Sequence, residues 1–228
     1  MKIKVRRIHY AWVILAVSFI GVLAAQGVRY SFGAFMDPWE QDFASSRGTV
    51  SAVSFLSFIV FALSQPIVGK LIDRFGIKLI FLVSMIILGA ATILSFFATT
   101  IWQLFFLYGI ISSLGFGGAS GVTATVAVTK WFHKRQGLAL GIVEAGFGAG
   151  QMLLVPSSLL LISQFGWRIT VLLLGGFLIV IVCPILAFFL KSEPSKIGIK
   201  AWGQEAEGDK PETKDIPIKK SNGTRSFV

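Results

Sequence analysis

The sequence predicts an all-α membrane protein of six transmembrane helices, arranged as two inverted three-helix repeats. Three observations predict it. Hydrophobic residues make up 54% of the 228 residues and charged ones only 14%, with a mean hydropathy of +0.77, whereas a soluble domain carries about 25% charged residues. Apolar stretches of roughly 20 residues, enough to cross about 30 Å of hydrocarbon, recur along the chain up to Leu190. The chain also aligns with itself at an offset of 90 residues.

The predicted spans are Tyr10–Ala34, Gly48–Gly69, Leu79–Ala98, Ile101–Thr129, Gly137–Ser163 and Ile169–Leu190. No charge falls between Leu79 and Thr129, and one helix over that stretch would be roughly 75 Å long. It must break, and Thr99-Thr100-Ile101-Trp102-Gln103 supplies the polar, interface-preferring residues for the turn. A basic start before an apolar run is also the pattern of a secretory signal peptide. Here the run is too long, and five further spans follow it.

Basic residues fall in alternate connections. Lys2, Lys4, Arg6 and Arg7 precede the first span, Lys70, Arg74 and Lys78 follow the second, and Lys130, Lys134 and Arg135 follow the fourth. The first loop sets Arg47 against Asp37, Glu40 and Asp42; the third has no charge and the fifth ends at Arg168. The positive-inside rule then places both termini in the cytoplasm, with residues 1–190 as the bundle in the cell membrane. From Lys191 to Val228 the chain turns polar and charged, as a flexible cytoplasmic tail or central-loop linker does. The glycosylation sequon Asn222-Gly223-Thr224 would lie on the cytoplasmic side and go unused. A net charge of +10 would suggest nucleic acid in a soluble protein; here the charges orient spans, and no nucleic-acid partner is expected.

The offset of 90 lays the first three spans over the last three. Pro66 falls on Pro156, and the segment Leu71–Lys78 falls on Leu161–Arg168. Three spans is an odd number, so the second copy must sit upside down, and Asp73-Arg74 on one side becomes Ser163-Gln164 on the other. Inverted three-helix repeats are a construction of secondary transporters.

Two charged residues lie well inside the spans, Arg29 and Glu144, and an intramembrane charge costs enough to mark a functional candidate. Helix register sets them roughly 15–20 Å apart in depth, too far to pair. Gln26, Arg29, Tyr30 and Gly33 share one helix face. That stripe reads as a cavity wall presenting a cation to an anion, or as an arginine snorkelling to the headgroups. Gly141, Glu144, Gly148 and Gln151 share a face of the fifth span, where Glu144 reads as a proton site or as a structural partner of the basic loop (Lys134, Arg135). Gly117 and Gly121, and Gly146 and Gly150, are GxxxG pairs that read as close helix packing or as flexing points. His9 and His133 stand at basic edges. No metal-ligand cluster, phosphate-binding glycine loop or nucleophile–base pattern is present; neither enzyme, cofactor nor metal is expected. The single cysteine, Cys183, excludes an intrachain disulfide.

Residues 69–78, GKLIDRFGIK, resemble the loop 2–3 signature G-x-L-x-D-R-x-G-x-K/R of the major facilitator superfamily. Residues 30–38, YSFGAFMDP, and 131–141, WFHKRQGLALG, with Ala145-Gly146 beyond, are similar to its monocarboxylate and oxalate/formate carrier branch. Residues 193–200, EPSKIGIK, are similar to the start of that branch's central loop. The resemblance spans roughly residues 8–200 and implies the amino-terminal six helices of a twelve-helix fold. It implies alternating-access transport of a small organic anion, in a lipid bilayer, with a second six-helix half or a second copy as partner. Arg29, Tyr30, Gln26 and Gln151 then become substrate-binding candidates. Gly69, Asp73, Arg74, Gly76 and Lys78 become the cytoplasmic gate, with Asp73 meeting the positive end of a helix in the other half. Animal monocarboxylate carriers place a cation opposite Tyr30, one residue from Arg29. Where some members carry a helix 4 arginine this chain has Ile111, and where exchangers have Gly-Pro it has Gly146-Phe147. The alternatives are a carrier for a sugar or drug, and a membrane scaffold or sensor that transports nothing.

Overall fold

The computed structural model describes residues 9–192 and 202–203. Four helices of spanning length come first: α1 (Tyr10–Asp42), α2 (Arg47–Phe75), α3 (Ile77–Phe97) and α4 (Ile101–Trp131). The last helical stretch, Gln136–Phe189, is 54 residues long, about 80 Å if it were straight. It folds at Gly166, whose φ of 78° and ψ of 165° lie outside the helical region. The described residues therefore form five helical segments of spanning length, not six spans each separated by a loop. The reason is local: one glycine makes the whole turn, and helical hydrogen bonding resumes at once on either side. We call the two arms α5 (residues 136–165) and α6 (residues 167–189).

Hydrogen bonds at the two ends show that the arms run back alongside each other. At one end the Tyr10 hydroxyl donates to the Phe189 carbonyl (2.7 Å) and the Trp131 indole donates to the Lys191 carbonyl (3.1 Å). Lys78 N–H donates to Ser192 Oγ there as well (3.2 Å). At the other end Arg168 pairs with Asp42 (2.7 Å) and donates to the Ala98 carbonyl (3.2 Å), while the Trp167 indole donates to Asp42 (3.1 Å). Tyr10 and Leu190 thus lie at the same end, as an even number of crossings requires.

Two boundaries differ from the sequence reading. The first span continues to Asp42 instead of stopping at Ala34, interrupted only at Ser31. Aromatic packing explains the extension: Phe32, Phe35 and Trp39 interlock with one another, with Tyr108 and with Trp167, which secures the helix across Pro38. The second span continues to Phe75, so Lys70, Asp73 and Arg74 sit on its last turns and the following connection is Gly76 alone. Elsewhere the ends follow ordinary capping. Ser46 Oγ accepts the Thr49 N–H (3.2 Å) at the start of α2, and Gln103 Oε1 accepts the Thr99 N–H (2.7 Å) where α3 turns into α4.

The repeat of the sequence is visible as repeated contacts. A Cβ at Gly27 would meet Leu154, and a Cβ at Gly117 would meet Ser64; an offset of 90 exchanges one pair for the other. Gly76 (φ 86°, ψ 156°) and Gly166 (φ 78°, ψ 165°) also match at that offset and share one backbone conformation. α1 is the most buried of the spans and α2 the least. α1 backs onto α5 so closely that a Cβ at Gly146 would lie 3.1 Å from the Phe19 carbonyl oxygen and one at Gly150 would overlap the Leu23 carbonyl, which is the close approach small residues permit in membranes.

Four residues of the tail are described, Lys191, Ser192, Trp202 and Gly203. Trp202 N–H donates to the Trp131 carbonyl (2.8 Å), its own carbonyl accepts from His133 N–H (2.9 Å), and its ring meets His9 and Trp12. Residues 193–201 and 204–228, including the EPSKIGIK segment and most of the predicted flexible tail, lie outside the described residues.

Candidate functional site

A cavity of about 440 Å³ opens between α1, α2, α4 and α5. α1 contributes Gln26, Arg29 and Tyr30, α2 contributes Phe58 and Phe61, α4 contributes Ser120 to Val122 with Thr125 and Val126, and α5 contributes Glu144 and Phe147. Its size is in the range of small-molecule sites. The i, i+3, i+4 spacing of Gln26, Arg29 and Tyr30 places all three on its wall.

Arg29 is held in the interior, 8% exposed. Its guanidinium carbon lies 3.8 Å from the centroid of the Phe61 ring, 4.6 Å from that of Phe58 and 5.5 Å from that of Phe116. Ring faces attract a cation, and this offsets part of the cost of removing the charge from water. Among the described residues no carboxylate stands within ion-pair distance of it. Its carbonyl accepts the Tyr108 hydroxyl (3.0 Å). Tyr108 belongs to a π-helical stretch, Phe105–Ser112, and such widened turns recur at functional sites. A smaller cavity of about 170 Å³ also reaches Arg29, lined among others by Tyr30, Gly33, Ser54, Ser57 and Tyr108.

Glu144 shares the larger cavity with Arg29 although the two stand at different depths. The Phe19–Gly146 and Leu23–Gly150 contacts set Glu144 level with Val17, so Arg29 stands about 18 Å further along α1. Long side chains close part of that distance. A Cβ at Gly121 would sit 2.7 Å from the Phe147 ring and 3.4 Å from Glu144 Oε1, so the ring and the carboxylate converge on the gap that Gly121 leaves. No ion pair joins Glu144 to any described residue. Ser120 Oγ, in a residue 2% exposed, also lines the cavity with no hydrogen-bond partner among the described residues. Gln151, one of the sequence candidates, is exposed further along α5 and does not line this cavity.

The other candidates sit at the Tyr10 end of the bundle. Asp73 and Arg74 are exposed on the last turn of α2, with the Arg74 guanidinium 5.1 Å from the Phe75 ring centroid. Gly76 turns the chain, Lys78 N–H is held by Ser192 Oγ, and Gly69 leaves open space where a side chain would be. Among the described residues no group of His, Cys, Asp or Glu is arranged to hold a metal ion.

Phe58, Phe61, Phe147, Thr125 and Tyr108 were not singled out from sequence. Nothing marks three phenylalanines among 21, since any apolar span is rich in them. Tyr108 carried a weak signal, being one of three tyrosines and the one nearest mid-span.

Comparison with known proteins agrees with this architecture. The family model described as "Major Facilitator Superfamily" matches residues 18–224. An "Uncharacterized MFS-type transporter YcxA" of Bacillus subtilis (strain 168) is 28% identical over 183 residues, 80% of this chain and 45% of the relative. "Monocarboxylate transporter 12" of Homo sapiens is 31% identical over 174 residues, 75% of this chain and 33% of the relative. "Monocarboxylate transporter 14" of Homo sapiens is 29% identical over 167 residues, 73% of this chain and 32% of the relative. The chain thus spans less than half the length of these relatives. With a match over most of its length and several helices long and apolar enough to cross a bilayer, the chain is a multi-pass membrane protein belonging to the Major Facilitator Superfamily.

Proposed function

We propose that this chain is one half of a secondary transporter for small organic anions, working by alternating access. One observation carries the substrate class: a buried arginine, stacked on phenylalanine rings and with no carboxylate partner among the described residues, lines a small-molecule cavity bounded by four helices. A structural arginine would be expected to have its charge matched; one aimed at a cavity is suited to a ligand's charge. The relatives named monocarboxylate transporters support the same class. Arg29 would hold the carboxylate, with Gln26 and Tyr30 beside it. Asp73 and Arg74, with Lys78 and the glycines at 69 and 76, would form the cytoplasmic gate, where a carboxylate favours the positive end of a facing helix. The other wall of the pathway would come from a second six-helix half or a second copy, around which the first half rocks.

Charge-assisted contacts contribute about 1.5–3 kcal/mol, so Arg29→Gln should weaken butyrate binding roughly ten- to a hundred-fold. Arg29→Lys should recover part of the loss, keeping the charge without the planar fork. Unchanged butyrate affinity in a normally folded Arg29→Gln protein would assign the arginine to packing. The proposed orientation, basic loops in the cytoplasm, is tested separately. A cysteine replacing Asp42 should react with an impermeant thiol reagent on whole cells and one replacing Lys134 should not, with buried Cys183 giving little background.

A further inference from the structure

We propose that the cavity between Arg29 and Glu144 binds a short zwitterion, a molecule with a carboxylate at one end and an ammonium or guanidinium group at the other. The inference rests on reading this cavity as a substrate site, and it adds the second pole. Arg29 presents a cation at the Phe58–Phe61 side. Glu144 presents a carboxylate at the Gly121 side, beside the Phe147 ring. A carboxylate next to an aromatic ring is a receptor for a cation, because both the charge and the ring quadrupole attract it. The two charges line one cavity yet form no ion pair with each other. A simple anion would satisfy Arg29 and leave an acidic group facing its tail; a zwitterion satisfies both. The Ser120 hydroxyl, buried on the same wall without a partner among the described residues, adds a polar contact along the ligand.

The spacing limits the ligand's length. Phe61 lies three residues to one side of the Ser64–Gly117 contact and Gly121 four residues to the other, an axial offset of about 10 Å at 1.5 Å per residue. A contact of about 3 Å at each end leaves about 4 Å along the bundle axis between the ligand's own charges. That axial span matches an amino acid whose amine is on the α or β carbon, and lateral separation across the cavity shifts the match to longer members of the series.

The test uses the full chain in lipid nanodiscs, because both charged groups and the rings beside them belong to this chain. Binding is measured for glycine, β-alanine, 4-aminobutyrate and 6-aminohexanoate, each beside the matching carboxylate without the amine. The short amino acids should bind at least ten-fold more tightly than acetate or propionate. Glu144→Gln should abolish that advantage without weakening the simple carboxylates, and Arg29→Gln should weaken both sets together. If simple carboxylates bind through Arg29 and the amine confers no advantage at any length, the zwitterion inference falls and the anion reading stands. Equal losses for both sets in Glu144→Gln would make the carboxylate a proton or structural group and also overturn the inference. Failure of every probe to bind overturns both readings.

Discussion

At Gly76 and at Gly166 the chain passes from one helix directly into the next with the same backbone, φ 86° and ψ 156° in one case, φ 78° and ψ 165° in the other. The surroundings differ. Before Gly76 stand Asp73 and Arg74 on an exposed helix end; before Gly166, at the matching positions, stand Ser163 and Gln164. The Gly76 corner is tied to Ser192 through a backbone N–H, whereas the Gly166 corner is tied through Arg168 and Trp167 to Asp42. The repeat therefore duplicates the fold without duplicating the chemistry. Glycine is needed at both corners because the backbone demands it; an Asp-Arg dipeptide before the glycine is present at one corner only. A feature needed for folding should recur in both copies, and a feature that acts on one side of the membrane should not. On that ground the one-sided element of the proposed gate is its charges, with Gly76 shaping the corner that carries them.

The largest expected effect comes from the pair of contacts that the repeat exchanges. A Cβ at Gly27 meets not only the Leu154 side chain but the Gly150 carbonyl at 2.7 Å, whereas at Gly117 the close neighbour is the Ser64 side chain. Backbone cannot turn aside. Gly27→Ala should cost about 3 kcal/mol, at the upper end for overpacking, and Leu154→Ala should not rescue it. Gly117→Ala should cost less, about 1–2 kcal/mol, and Ser64→Ala should recover part of that by removing the hydroxyl. Thermal unfolding in detergent reads all four variants. Equal losses at the two glycines, or rescue of Gly27→Ala, would show that α1 and α5 can separate as freely as α2 and α4.

Next are the corners themselves. Both glycines occupy a backbone region that is essentially closed to side chains, where another residue costs about 1–3 kcal/mol. A Cβ at Gly76 would touch Ser192 only at ordinary distance, 3.4 Å, and one at Gly166 meets nothing within 4 Å. Gly76→Ala and Gly166→Ala should therefore lower stability by similar amounts in the same unfolding assay. A neutral substitution at either corner would mean that the corner relaxes to another turn, and the symmetry of the fold would be looser than the matched angles imply.

The helices and their inverted pairing were legible because they rest on short-range chemistry. Twenty apolar residues in a row have few other uses, and Pro66 with Pro156, or Gly76 with Gly166, marks the repeat in the one-dimensional string. The helix ends were less legible. Asp37, Glu40 and Asp42 read as loop residues, yet they sit on α1 because Phe32, Phe35 and Trp39 pack on Tyr108 and Trp167, partners far away in sequence. The absence of a fifth loop was hidden because Gly166, among Ser163, Gln164 and Arg168, reads as a loop residue, and its letter does not announce that a single positive φ makes the whole turn. At the cavity, Arg29 and Glu144 stood out because charge is rare in a span. Their lining of one cavity did not, because helix register gives depth and says nothing of how side chains reach along a groove. Phe58, Phe61 and Phe147 were invisible as site residues because a ring that faces a cation and a ring that faces lipid have the same letter.

The smallest expected effect separates what ties each corner from what shapes it. Asp42 accepts from both Arg168 (2.7 Å) and the Trp167 indole (3.1 Å), and its pair with Arg168 is partly open to water, with side chains 37% and 41% exposed. Exposed pairs of this kind contribute about 0.2–1 kcal/mol and weaken as salt screens them. Asn at position 42 keeps an oxygen for the Trp167 N–H and loses only the charge. Asp42→Asn should therefore lower stability by less than about 1 kcal/mol, and the difference from wild type should shrink in high salt. Asp42→Ala should cost more, because the indole N–H of Trp167, a buried residue, is left without that acceptor. The order wild type, Asn, Ala, with only the first step sensitive to salt, would assign the Gly166 corner a hydrogen bond that holds it and a charge pair that adds little. If instead Asn and Ala were equally destabilising and salt removed both losses, the charge would be the tie, and the two corners would differ in what holds them as well as in what they present.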